Sequence, residues 1–162
     1  MSVPAYLRVY RFDPGAAFEG GLVGAIERID LGRETKLLDA LFVMQDTGGL
    51  VALDLAGSGA GDMFASLVDF RLDQRRREAL TERTLAERRG GVPRTLIEAI
   101  AGTLEAGAAI FAVVHTGGKP TVLDDAVERA HGRLIADESV DAQALADAGP
   151  QLFRAVGIPA RP

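Results

Sequence analysis

The fold is decided by residues 35–55, which read TKLLDALFVMQDTGGLVALDL. Two apolar runs, 35–45 and 50–55, stand on either side of the turn residues Asp46 to Gly49. Two strands joined by such a short, glycine-containing link pair with each other as a β-hairpin. The sequence therefore predicts two adjacent antiparallel strands here, and the other elements are placed outward from them.

Strands and helices alternate on both sides of this hairpin. Before it, a predicted strand over 6–12 is followed by an apolar stripe at helical spacing, formed by Phe18, Leu22, Ile26 and Ile29. After it, the pattern predicts a helix beginning at Met63, a helix over 94–107, a strand over 108–115, a helix over 121–132 and a strand over 134–140. One short helix is expected in the tail that begins at Asp141.

This order of elements predicts an α+β protein. The order β-α-β-β-α-β matches a ferredoxin-like frame, to which this chain adds an extra α-β unit and an inserted charged helix. The length of 162 residues indicates a single domain over 1–162. Within it we distinguish a glycine loop and arginine-rich helical insert over 56–93, and a C-terminal tail over 141–162 that we expect to wrap the surface.

Composition restricts the class of protein. Hydrophobic residues make up 48% of the chain and charged residues 25%, which is typical of a globular protein with a packed core. The formal net charge of −5 argues against nucleic acid as the main partner, because phosphate binding needs a basic surface. The chain contains no cysteine, which excludes disulfides and thiolate metal sites and is typical of a cytoplasmic protein.

A membrane span is not expected. Residues 1–7 include no basic stretch and no long apolar run, so that no signal peptide is predicted. The longest uncharged stretch, residues 106–118, is shorter than the roughly 20 apolar residues that cross a bilayer. We therefore expect a soluble protein of the cytoplasm.

Three segments resemble a known group of proteins: LLDALFVMQDTGGLVALDL over 37–55, LIEAIAGTLEAGAAIFAVVH over 96–115 and AHGRLIADESV over 130–140. In these segments the chain is similar to small bacterial domain-of-unknown-function proteins, some of them stress-associated. Many members of that group carry a glycine-rich membrane hairpin inside a ferredoxin-like frame. The resemblance implies that frame and a stress-related role, and it supplies no activity, cofactor or catalytic residue.

The chain departs from that group in its arginine-rich insert. Residues 71–89 carry seven arginines against four acidic residues, a composition that no bilayer would accept: Arg71, Arg75, Arg76, Arg77, Arg83, Arg88 and Arg89. The insert is interpreted as a solvated helix laced by weak ion pairs, or as an arm used in self-assembly or in binding an acidic protein partner. Nucleic-acid binding through Arg75 to Arg77 is a less favoured alternative, because the run contains no aromatic residues for base stacking.

Two features could form a ligand site. Gly57, Gly59 and Gly61 follow a predicted strand and precede a predicted helix, which is the position of phosphate-binding loops. They lack the Lys-Ser/Thr pair of such loops, and a hinge into the insert explains them more simply. His115 ends the apolar strand over 108–115 and could act as a base or a ligand. No histidine stands at metal-binding spacing from it, so that no metal site, cofactor or catalytic residue is predicted.

The function that these observations favour is a non-enzymatic assembly or protein-interaction module that forms homo-oligomers. A ferredoxin-like sheet leaves one open face and exposed edges, which proteins usually cover or pair. The alternative is a protein that binds a small ligand, such as a phosphate or a nucleotide, or acts on one, through the 57–64 loop and His115.

Overall fold

The computed structural model describes residues 4–14, 35–46, 49–54, 74–86, 92–141 and 144–157. Within these residues the chain forms five strands and four helices, in the order β1 (Ala5–Phe12), β2 (Thr35–Asp46), β3 (Gly49–Asp54), α1 (Gln74–Leu85), α2 (Arg94–Gly102), β4 (Ala109–Gly117), α3 (Thr121–Arg129), β5 (Gly132–Val140) and α4 (Gly149–Ala155). The prediction of an α+β protein is therefore confirmed. The predicted helices over 18–29 and from Met63 lie outside the described residues.

All five strands belong to one antiparallel sheet, in the order β3-β2-β4-β1-β5. β2 and β3 pair from Leu41 opposite Asp54 to Asp46 opposite Gly49, which confirms the predicted hairpin. β4 lies at the centre, between β2 and β1, and its residues from Ala109 to His115 are all buried. Such an unbroken apolar run is typical of a strand that is covered on both faces.

The core has two layers, one on each face of the sheet. The first face packs against α3, and its buried side chains include Tyr10, Phe42, Phe111, Leu123 and Val127. The second face packs against α2 and α4, and its buried side chains include Leu41, Val43, Ile97, Ile110 and Leu152. The expectation of a sheet with one open face is therefore wrong, because both faces are buried.

Residues 144–157 of the C-terminal tail contribute to the core, which corrects the expectation that the tail wraps the surface. Leu145, Ala148 and Leu152 are fully buried and pack with α2 on the second face of the sheet. The carboxylate of Asp39, buried in β2, accepts the backbone N–H of Leu145 at 2.9 Å and that of Ala40 at 2.8 Å. A hydrogen bond to a buried carboxylate is stronger than one between neutral groups, so that Asp39 ties the tail to the sheet.

Helix α1 lies within the arginine-rich segment 71–89, and it packs against β3 of the sheet. Thr81 and Thr84 are buried, and Thr81 Oγ1 accepts the backbone N–H of Ala52 in β3 at 3.2 Å. Because β3 is at the edge of the sheet, this bond satisfies one of the N–H groups that an edge strand leaves unpaired. The outward side of α1 is charged and exposed at Arg75, Glu78, Glu82 and Arg83.

We expect Gly132→Ala to lower the free energy of unfolding by about 1–3 kcal/mol, as overpacked core substitutions do. A Cβ at Gly132 would lie 2.7 Å from the Phe12 ring and 2.8 Å from Val127 Cγ1, and both of these side chains are buried. Urea unfolding of the two proteins measures the difference. The matched control is Gly102→Ala at the end of α2, where a Cβ would meet nothing within 4 Å. An equal loss in both variants would contradict the prediction.

Candidate functional site

Polar side chains gather on the α3 face of the sheet, near the start of β1. In the antiparallel register, Tyr6 lies opposite His115 of β4, and Arg8 lies opposite Asp137 of β5. Tyr10 belongs to the core on this face, and side chains alternate along a strand, so that Tyr6 and Arg8 share the face. Three strands that are distant in sequence therefore bring these groups together.

Arg8 is the centre of this group. Its side chain is 2% exposed, and its guanidinium binds Asp124 of α3 through two contacts, Nη2 to Oδ2 at 2.7 Å and Nε to Oδ1 at 2.9 Å. Nη1 also lies 2.9 Å from Oδ2 of Asp137. A buried cation needs such paired and hydrogen-bonded anions to offset its loss of hydration. Arg8 thus joins β1 to both α3 and β5.

Tyr10 completes the contacts of Asp124. The fully buried Tyr10 hydroxyl donates to Asp124 Oδ1 at 2.6 Å and accepts from Arg8 Nε at 2.9 Å. Burial, together with the hydrogen bond to Asp124, raises the pKa of Tyr10 well above its ordinary value. Burial alone would lower the pKa of Arg8, but the hydrogen bond to Asp124 and the nearby negative charges outweigh it, so that this pKa is raised. Tyr10 is therefore a neutral donor and Arg8 a permanent cation.

His115 lies next to this network and is 2% exposed. Its ring stacks on Tyr6 with the ring centroids 5.4 Å apart and the planes 29° from parallel. Neither Nδ1 nor Nε2 has a hydrogen-bond partner among the described residues. A neutral imidazole carries one donor and one acceptor, and a buried polar atom without a partner costs about 1–3 kcal/mol. His115 is therefore a buried polar group that the described residues leave unsatisfied.

The charge state of His115 follows from its burial. Desolvation lowers the pKa of the imidazole, and the polar backbone of Thr116, which does not meet hydrogen-bond geometry with either ring nitrogen, offsets this shift only in part. The charge of Arg8 also lowers the pKa, whereas those of Asp137 and Asp124 raise it. His115 is thus neutral at pH 7 and can both donate and accept a hydrogen bond. It lacks, among the described residues, the carboxylate that orients the histidine in catalytic triads.

A pocket of about 230 Å³ opens beside these side chains, between the sheet and the loop that precedes α3. Most of the residues that line it carry a polar group: Tyr6, Arg8, His115, Gly117, Lys119 and Asp137. Gly117 has a φ of 81°, a backbone conformation that favours glycine. Lys119 is exposed and forms no ion pair with any described acid, whereas Arg8 is already held by two carboxylates. Lys119 is therefore the available cation of the pocket.

The residues that the sequence singled out do not form one site. His115 lines the pocket, whereas Gly57, Gly59 and Gly61 lie outside the described residues. Arg71, Arg88 and Arg89 also lie outside them. Arg75, Arg76, Arg77 and Arg83 belong to α1, which packs on β3 at the edge of the sheet remote from β1 and β5. The arginines of α1 are thus separate from His115.

Sequence reasoning missed the other members of the site. Asp124 stands in the first turn of a predicted helix, where the helix dipole favours an acid, and Asp137 follows the core of a predicted strand. Neither position indicates a site by itself, and Arg8 is not among the candidate residues. A signal was present, because Arg8 stands two residues before Tyr10 on the inward side of an apolar strand. An arginine in that position requires a buried acidic partner. The identity of the partner depends on the strand register, which the sequence does not reveal.

Other kinds of site find no support in the described part of the chain. No group of three or more histidine, aspartate or glutamate side chains there could hold a metal ion. None of its helices is long and apolar enough to cross a membrane.

Folding stability is expected to fall below about pH 6.5 in a way that depends on His115. The ordinary histidine pKa is 6.5, and burial holds that of His115 below this value in the folded protein. Between the two pKa values the unfolded state binds more protons, so that acidification destabilises the fold by at most about 1.4 kcal/mol per pH unit. Urea unfolding at about pH 7.5 and about pH 5.5 should therefore show a smaller decrease for His115→Leu than for the wild type.

The second histidine provides the matched control for this measurement. His131 is exposed, and His131→Ala should keep the pH dependence of the wild type. Arg8, Asp124 and Asp137, the charged groups that act on His115, remain in all three proteins, so that the variants differ only at the histidines. Identical pH dependence in His115→Leu and the wild type would contradict the prediction.

The three segments with a family resemblance correspond to the β2–β3 hairpin, to α2 with β4, and to β5. These are common structural units, and the pocket residues Tyr6, Arg8, Gly117 and Lys119 lie outside all three segments. The stress-associated group therefore stays a prediction about this chain. Comparison of the chain with protein-family models, with curated proteins and with solved structures found no match.

Proposed function

We propose that the protein binds a small polar ligand in the pocket beside His115. The observation that carries the proposal is a histidine, 2% exposed, on the wall of a pocket of about 230 Å³, with no hydrogen-bond partner for either ring nitrogen. Small-molecule sites combine such concavity with a few convergent polar groups and a group of perturbed pKa. A ligand that satisfies both nitrogens recovers the free energy that their burial costs.

The charges of the pocket favour a ligand with one anionic group and at least one hydrogen-bond donor. Lys119 attracts the anionic group, a carboxylate or a phosphate, because no described acid neutralises it. Asp137 remains 47% exposed beside its contact with Arg8 and accepts hydrogen bonds from a hydroxyl or an amino group. Small hydroxy acids, amino acids and phosphate esters have this combination.

A thermal-shift screen followed by calorimetry tests the proposal. The panel contains small amino acids, hydroxy acids, inorganic phosphate and nucleotides. A ligand at 100 times its dissociation constant stabilises the folded state by about 2.7 kcal/mol, which corresponds to a shift of several degrees. His115→Leu and Lys119→Ala should abolish the shift. The controls use the second residue of each type, His131→Ala and Lys36→Ala, which lie outside the pocket and should leave the shift unchanged.

One further variant tests whether the ligand binds at the glycine loop or in this pocket. Gly59→Val introduces a side chain where a phosphate-binding loop needs close backbone approach. If the shift disappears in Gly59→Val and persists in His115→Leu, the ligand binds at the 57–64 loop and the proposal for the His115 pocket is overturned. If no compound shifts the unfolding temperature, the ligand-binding function is also overturned.

We also propose that the protein is a self-associating interaction module. The observation that favours it is the outer edge of β5, where no described strand or helix forms backbone hydrogen bonds with the strand. Unpaired strand edges are ready templates for pairing with another chain. Multi-angle light scattering across a concentration series tests this function, and a monomer at every concentration would overturn it. A stress-related role and a cytoplasmic location stay predictions beside it.

We further propose that four strands, in the order β5-β1-β4-β2, form a ferredoxin-like frame. The antiparallel pairing supports this, because β4 lies between β1 and β2, and β1 lies between β4 and β5. That arrangement corresponds to two interleaved split βαβ units. On this proposal the third and fourth strands of the frame are β4 and β5, whereas the order of elements in the sequence predicts β3 and β4 with an extra α-β unit after them. β3, α1 and α2 are then an addition between the second and third strands of the frame, which makes α1 part of an insert. An experimental structure in which β1 and β2 are not linked by a helix would overturn it.

A further inference from the structure

The two edges of the sheet differ in how they are covered. At the β3 edge, Thr81 of α1 accepts a backbone N–H, as described above. At the other edge, β5 runs for nine residues and pairs only with β1 among the described strands. Leu134, the one large hydrophobic residue that is exposed in the described part of the chain, lies on this strand and is 41% exposed. The β5 edge therefore combines unpaired backbone groups with exposed apolar surface.

A β-bulge determines which side chains of β5 share a face. Val9 lies opposite Ala136 and Tyr10 lies opposite Leu134, so that Ile135 is the extra residue. Residues 133 and 138 would face opposite sides of a regular strand. With the bulge between them, Arg133 lies opposite Arg11 and Glu138 lies opposite Leu7, and both occupy the face that packs against α2 and α4.

We propose that β5 pairs with β5 of a second copy, antiparallel, about a two-fold axis between Ile135 and Ala136. The proposal rests on the self-association proposed above and names its surface. In this register Arg133 lies opposite Glu138 of the partner subunit, and symmetry repeats the pair on the other side of the axis. Leu134 lies opposite the partner's Asp137 on the α3 face, so that its exposed surface is covered.

The surface charges next to β5 support this register. Arg133 contacts Asp13 at 3.2 Å, and Glu138 contacts Arg154 of α4 at 3.3 Å. Pairing of Arg133 with the partner's Glu138 joins these contacts into a row in which acidic and basic groups alternate. Such networks stabilise more than isolated surface ion pairs do. Opposite charges across strands also favour this register over one centred on Asp137, which would place two carboxylates against each other.

Charge reversal tests the pairing. Sedimentation equilibrium across a concentration series should show a dimer of the wild type. Arg133→Glu and Glu138→Arg should each weaken the dimer by about tenfold or more, because each places like charges together at two symmetric positions. The double variant Arg133→Glu/Glu138→Arg restores opposite charges and should restore the dimer. Far-ultraviolet circular dichroism of each variant confirms that it is folded.

The exposed Arg94–Glu98 pair of α2 provides the matched control. It has the same residue types and lies away from β5, so that Arg94→Glu should leave the association unchanged. A monomeric wild type would overturn both this proposal and self-association itself, and would mean that the bulge and charges protect the edge. A dimer that persists in both single variants, or that the double variant does not restore, would overturn the β5 surface alone.

Discussion

Arg8→Met is expected to lower the free energy of unfolding by about 3 kcal/mol or more. Methionine fills a similar volume, so the loss comes from the charge and the hydrogen bonds and not from a cavity. Without the guanidinium, the carboxylates of Asp124 and Asp137 face each other without a cation. Their side chains are 23% and 47% exposed. Because they are partly hydrated, the loss of folding free energy should lie at the lower end of the range of roughly 3–5 kcal/mol that breaking a buried ion pair costs.

Two control substitutions test whether the loss in Arg8→Met exceeds that of breaking an ordinary, exposed ion pair. Asp137→Asn removes the more exposed partner and should cost at most about 1 kcal/mol, because water screens that contact. Arg94→Met removes the exposed partner of Glu98 in α2 and should cost at most about 0.5 kcal/mol. Urea unfolding at pH 7 measures all three variants. If Arg8→Met cost no more than Arg94→Met, Arg8 would not hold β1, α3 and β5 together.

The part of the fold that sequence reasoning predicted is the part that depends on neighbours in sequence. The β2–β3 hairpin was predicted because its turn residues stand between its two strands. The pairing of β1 with β4 and β5 could not be predicted in the same way, since the many intervening residues leave the partner and the register open. The burial of both faces follows from these long-range pairings and was missed with them.

The boundary between α3 and β5 shows how tertiary contacts move the end of an element. Periodicity alone predicts that the helix continues to Gly132 and that the strand begins at Leu134. In the structure α3 ends at Arg129, and His131 adopts a φ of 63° before the strand begins at Gly132. The absence of a side chain at Gly132 lets Phe12 pack directly over the backbone. A non-glycine residue in the left-handed region is uncommon, so that the sequence alone does not indicate this turn.

The candidate site was predicted only where a single residue carried the signal. His115 stood out because a histidine ends an otherwise apolar strand, and it lines the pocket. Tyr6, Lys119 and Asp137 carried no such signal, since a polar residue near the end of an element is ordinary in sequence. Their approach to His115 depends on the β1–β4 and β1–β5 registers, which are set by packing across the whole sheet.

Leu152→Ala is expected to lower the free energy of unfolding by about 2–5 kcal/mol. The residue belongs to the C-terminal tail and is fully buried with Leu145 and Ala148 against α2. Truncation to alanine removes apolar contacts and leaves a cavity that the packed interior fills only in part. If the tail only followed the surface, the same substitution would lower the free energy of unfolding by less than about 0.5 kcal/mol, the usual effect of a surface substitution.

Arg154→Ala, two residues farther along the same helix, provides the comparison that decides whether the tail is structural. Its side chain is exposed and, among the described residues, forms an ion pair with Glu138 alone, so that its removal should cost at most about 1 kcal/mol. Urea unfolding at low protein concentration keeps any association out of both measurements. Because Asp39 binds Leu145 N–H from inside the sheet, the loss in Leu152→Ala should appear in one cooperative transition. A separate early transition would instead mean that the tail unfolds on its own and that the core does not depend on it.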